Sequence, residues 1–96
     1  MLESWTVDTF TPLVGEAFAL EVEPGSTVEA RLAEATGREL PGAPRAPFSL
    51  VFVGPAEPLL PQGSRRLEHP SLGAFELFLV PIGRDERGVH YEAAFG

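Results

Sequence analysis

There is no cysteine and no lysine among these 96 residues, and histidine occurs only twice. Without cysteine the chain has no disulfides, no thiolate chemistry and no sulfur-ligated zinc or iron–sulfur centre, so the fold must stand on packing. Without lysine, positive charge rests on seven scattered arginines against fourteen acidic residues, for a net charge of −7. A nucleic-acid binder needs a basic stripe to release counterions from phosphates. This composition therefore excludes nucleic acid as a main partner, and an anionic membrane surface with it. No apolar run approaches the ~18 residues of a membrane-spanning helix. Met1-Leu2-Glu3-Ser4-Trp5 has neither a basic segment nor an apolar one, so no signal peptide is expected and synthesis is expected to be cytoplasmic.

What is present describes one β domain spanning residues 1–96. Hydrophobic residues make up 44% of the chain, enough for a thin core, and ten glycines with ten prolines suit frequent turns. Residues 9–15 read as a short helical turn, capped by Asp8 or Thr9, ended by Gly15 and packed through Phe10, Leu13 and Val14. Residues 17–23 place Phe18, Leu20 and Val22 on one strand face, and Glu23-Pro24-Gly25-Ser26 forms a turn. Residues 27–36 are balanced. Ser26 with Glu29 suggests a helix-capping box, whereas Val28, Ala30 and Leu32 alternate with Glu29 and Arg31 as a strand would. The short Pro-Gly turn favours the strand. Residues 37–47 read as a loop, 48–53 as a central strand, 54–63 as a second loop and 64–69 as a weaker strand. His69-Pro70-Ser71-Leu72-Gly73 is a tight connection. Residues 74–82 and 89–95 are strands joined by the polar turn 83–88. The pattern predicts a mainly β fold, an antiparallel barrel, roll or sandwich of about six strands with one N-terminal helical turn.

Placing Asp85 and Glu86 at the hairpin tip sets Ile82 opposite Val89, Val80 opposite Tyr91 and Phe78 opposite Ala93. One face is then apolar, and the other carries Leu77 and Leu79 beside His90 and Glu92, with Glu76 and Glu92 on opposite faces. Symmetric changes in loop length preserve this register.

Reactive groups are sparse. His90 and Glu92, two apart on one strand face, could share a metal with His69 or Glu68, but a solvated sheet face is the favoured reading. No pair of acids is singled out for glycoside hydrolysis. Ser49, Ser64 and Ser71 sit in no nucleophile motif, and the glycines form no phosphate loop. No catalytic residue, cofactor or metal is therefore assigned. The loop Gly-Pro-Ala-Glu-Pro-Leu-Leu-Pro-Gln-Gly at 54–63 is more telling. Leu59 and Leu60 either fold onto the core or form an exposed patch with Pro58 and Pro61, and Trp5 has the same two readings. These five residues are the candidate partner-binding set. The strand at 89–95 is a further candidate as a pairing edge.

Several stretches carry a resemblance: Phe10-Thr-Pro-Leu-Val-Gly-Glu-Ala-Phe18, Pro-Phe-Ser-Leu-Val-Phe-Val-Gly-Pro at 47–55, Leu-Pro-Gln-Gly at 60–63, Leu-Glu-His-Pro at 67–70, Leu-Phe-Leu-Val-Pro-Ile-Gly at 77–83, and Tyr-Glu-Ala at 91–93 with Phe95. In these the chain resembles a small bacterial domain family of unknown function. The likeness implies a strand rather than a helix at 28–35, an aromatic at position 65 where this chain has Arg65, and an association with phage-tail-collar-type fibre proteins, hence a place in an exported or extracellular assembly. The expectation is a non-enzymatic structural or protein-interaction subunit, with a small-ligand-binding barrel as the alternative.

Overall fold

A computed structural model describes residues 5–37, 42 and 46–95. The expected loop at 37–47 lies mostly outside these residues. Six strands follow a short helical segment: β1 (Ala17–Glu23), β2 (Ser26–Gly37), β3 (Phe48–Gly54), β4 (Gly63–His69), β5 (Gly73–Asp85) and β6 (Gly88–Phe95). They close into an antiparallel barrel in the order β1-β2-β3-β6-β5-β4. The balanced segment is thus a strand. The tight turn at Pro24-Gly25 puts Phe18 opposite Ala30 and Leu20 opposite Val28, which buries an apolar face that a helix there would have split. β6 lies between β3 and β5, so it is not the free edge the sequence suggested.

Closing six strands demands strong bending, and three single-residue bulges supply it, at Val22 in β1, Ala33 in β2 and Ile82 in β5. β5 is the pivot: Gly73–Leu79 pair with β4, and the residues from Val80 on pair with β6. Closure is weakest between β1 and β4, where only Ala19–Glu68 and Leu20–Leu67 pair. Beside that seam, His69 Nε2 lies 2.7 Å from Glu16 Oε1, while its Nδ1 accepts the Ser71 N–H at 3.0 Å. An accepting Nδ1 leaves Nε2 as the protonated nitrogen, so the ring donates to the carboxylate and clasps the chain before β1 to the end of β4.

The helical segment consists of α1 (Val7–Phe10) and a 3-10 turn (Thr11–Leu13). Its N-cap is Thr6, one turn earlier than expected, and the Thr9 hydroxyl accepts the Thr6 N–H at 3.1 Å. Phe10 drives into the end of the barrel among Trp5, Phe48, Phe75 and Phe95, and Phe48 and Phe95 stack at 4.3 Å. Leu13 packs against the same core, but Val14 turns outward. Along the barrel the inward residues are Phe18, Leu20, Ala30, Leu32, Leu50, Phe52, Leu67, Leu77, Leu79, Val89, Tyr91 and Ala93. Each large apolar side chain removed from water contributes roughly 1.5–3 kcal/mol.

The β5–β6 hairpin departs from the expected register. Asp85 pairs with Gly88, so Glu86 and Arg87 form the tip. Ile82 then bulges, and Val80 faces Glu92 while Pro81 faces Tyr91. A slip of one residue inverts a strand's faces. Leu77 and Leu79 are therefore inside, and Phe78, Val80 and Ile82 outside. Glu76 and Glu92 consequently share the outer face. The β6 reading holds, with Val89, Tyr91 and Ala93 inward and His90 and Glu92 outward. Gly88 makes this tip possible. Its φ is +137°, and a Cβ there would stand 2.0 Å from the Gly54 carbonyl oxygen.

Candidate interaction surface

The loop after β3 is fastened rather than free. The Leu60 N–H donates to the buried Tyr91 hydroxyl at 2.9 Å, and Arg65 Nη2 donates to the Pro61 carbonyl at 2.9 Å. Leu60 is 7% exposed and belongs to the core, so it leaves the candidate binding set. Leu59 remains outside at 54% exposure, flanked by the exposed Pro58 and Pro61. The two leucines thus split between the two readings. Trp5 is half-buried, edge-on to Phe10 at 5.5 Å and to Phe75 at 5.1 Å. Arg65 falls on the inward side of β4 between Gly63 and Leu67. The resemblance implies an aromatic at this position, and the Arg65 Nε is buried with no hydrogen-bond partner.

The polar candidates are dispersed. His90 Nε2 lies 3.0 Å from Asp85 Oδ2, at ion-pair distance without the alignment of a hydrogen bond. The Arg87 N–H donates to Asp85 Oδ1 at 2.8 Å. That backbone bond first, and His90 second, hold the Asp85 carboxyl below the usual carboxylate range. His69 is committed to Glu16 and lies apart from His90. Among the described residues, no three histidine or acidic side chains are placed to hold a metal ion.

The helical segment starts at Val7 and the sheet pairing runs from Ala17 through Phe95, and the family model described as Domain of unknown function (DUF6916) matches residues 5–95. The chain belongs to this family. No curated protein and no solved structure matches it. In this DUF6916 domain the match takes in the helical segment and all six strands, so the barrel is the unit that the family model describes.

The most prominent surface feature of this DUF6916 domain was missed by the sequence reading. Phe78 and Ile82 are 55% and 52% exposed, and the half-buried Val80 lies between them on the outer face of β5. Ser64 is opposite Phe78 across β4, and Glu92 opposite Val80 across β6. The signal was present as an uninterrupted apolar run from Leu77 to Ile82. A run with no polar residue on either face means that whichever face turns out leaves large apolar side chains in water. Open surface grooves are present besides, two of them partly apolar. One of about 550 Å³ follows the β1–β4 seam past Phe18, Val28, His69 and Pro70. The other, about 680 Å³, lies between Val14, Arg31, Val53 and Arg87. Both are external, and the barrel interior is packed with side chains.

Proposed function

We propose that this domain is a non-enzymatic protein-interaction subunit that docks a partner on the outer face of β5. The observation that carries the reading is the ladder Phe78, Val80, Ile82 facing water on one strand. Scattered exposed apolar residues are ordinary, but three successive outward positions form a contiguous patch, which is the hallmark of a binding surface. Leu59 adds a second exposed apolar point on the fastened loop. The arrangement suits a static scaffold: the interior is filled, and the loop after β3 is pinned to the barrel through Leu60 and Pro61. The resemblance to fibre-associated domains supports a structural subunit of a fibre or tail-like assembly as the setting.

The test is size-exclusion chromatography with light scattering, followed by capture assays against a tail-collar-type fibre protein. Wild-type protein should form a defined complex, and Phe78→Ser/Ile82→Ser should lose it while melting as the wild type does. A strictly monomeric chain that captures no such protein removes the proposal.

A further inference from the structure

Three carboxylates, Glu34, Glu76 and Glu92, share the outer face with the β5 ladder. The following inference rests on the docking face just proposed and specifies its partner. Across the outer face the register runs Glu34, Val51, Glu92, Val80 through β2, β3, β6 and β5. Neighbouring strands lie about 4.8 Å apart, so Glu34 and Glu92 are roughly 10 Å apart with Val51 between them. Val51 is only 9% exposed although it faces outward, and Glu92 is half-buried between two valines. Glu76 sits two residues before Phe78 on the same face.

None of Glu34, Glu76 and Glu92 has an ion-pair partner among the described residues. The arginines paired into this face, Arg31 and Arg66, already have partners. Arg31 pairs with Glu29 and donates to the Gly15 carbonyl, Arg66 lies 3.4 Å from Glu68 although Glu76 is its cross-strand neighbour, and His90 faces Asp85. A carboxylate partly withdrawn from water beside apolar groups is stabilised by any cation brought to it, more so as a partner excludes the remaining water. Apolar ladder and unpaired carboxylates together therefore select what can cover them.

We propose that the occupant is a protein segment carrying lysine or arginine beside apolar residues: its apolar side chains cover Phe78, Val80 and Ile82, and its cations meet Glu92, Glu34 and Glu76. A second copy of this chain fits poorly. It has no lysine, and a two-fold pairing of this face would set Glu92 among carboxylates. An anionic lipid surface is repelled by the same groups.

The experiment uses the full chain and three synthetic amphipathic peptides, Leu/Lys, Leu/Gln and Leu/Glu, with isothermal titration and amide chemical-shift mapping. The Leu/Lys peptide should bind and shift the amides of Phe78–Ile82 and Glu92. Its affinity should fall about tenfold or more in Glu34→Gln/Glu92→Gln and in Phe78→Ser/Ile82→Ser. The charge-matched control Glu21→Gln/Glu23→Gln should bind as the wild type does. Equal weakening by the control pair would overturn the inference by making the attraction merely global. Equal binding of the Leu/Gln peptide at the same amides would also overturn it, while leaving the docking face intact. Self-association abolished by Phe78→Ser would name a second copy as occupant and refute the cationic segment. If no peptide perturbs Phe78–Ile82, the inference and the docking face fall together.

Discussion

Tyr91→Phe isolates a single hydrogen bond at the point where the Pro-rich loop meets the barrel. Tyr91 is 1% exposed, and its hydroxyl accepts the buried Leu60 N–H at 2.9 Å. Phenylalanine keeps the ring and its packing, so the loss is confined to the acceptor. A buried amide left without a partner costs about 1–3 kcal/mol, more than the ~1 kcal/mol net worth of the bond itself. For a domain of this size each kcal/mol corresponds to roughly 4–8 °C in Tm, so a fall of about 4–24 °C is expected. Urea denaturation measures the free energy, and native-state hydrogen exchange at the Leu60 amide reports the site. Leu60→Ala should cost more, about 2–5 kcal/mol, because it opens a cavity, whereas Leu59→Ser should change stability by less than about 0.5 kcal/mol. The reasoning is refuted if Tyr91→Phe costs under about 0.5 kcal/mol and the Leu60 amide stays protected as before.

Gly88→Ala should destabilise by roughly 3 kcal/mol or more, since its Cβ would overlap the Gly54 carbonyl oxygen, and a loss below 1 kcal/mol on thermal melting would contradict the close approach. Gly25→Ala is the comparison. Its φ is +80° but nothing lies within 4 Å of a Cβ, so backbone strain alone, about 1–2 kcal/mol, is expected. Glu16→Gln should cost under about 1 kcal/mol, because Glu16 is half-exposed, yet speed amide exchange at Leu20 and Leu67 where the barrel closes; unchanged exchange there would show that the clasp does not restrain the seam. Asp85 has a folded pKa below its unfolded value, so the stability it contributes is present above the ordinary carboxylate range and lost as pH falls through the folded value. An NMR titration should show this depression, and His90→Gln should relieve it only in part, because the Arg87 N–H is the larger cause. Complete relief would reverse that order.

The sequence was legible where apolar and polar residues alternate and turns are marked. β1, β3 and β6 were placed within a residue or two, and their inward residues follow the period of two. β2 was legible only in part, because Ser26 and Glu29 imitate a helix cap. The Pro24-Gly25 turn pointed to the hairpin with β1, while the pairing with β3 that completes the strand's neighbours lies beyond any local pattern. The face of β5 was illegible for a different reason. Leu77, Phe78, Leu79, Val80 and Ile82 offer two equally apolar faces, so alternation could not choose between them, and the bulge at Ile82 shifts the register without a polar residue to mark it. That error hid the surface feature on which the functional proposal stands. The role of His69 was obscure because its partner, Glu16, lies 53 residues away in sequence.

The narrow joint between β1 and β4 bears on how the barrel comes together. Four of the barrel's six pairings, β1–β2, β2–β3, β4–β5 and β5–β6, join strands adjacent in the chain, and three of these, all but β2–β3, close through loops of two or three residues. The β1–β4 pairing spans a long separation and returns just two residue pairs, so the ring is sealed late and at small profit. The same joint is where the closed molecule should first come apart: exchange at Ala19 and Glu68 through local opening, ahead of the β3–β6 ladder, is the expected order.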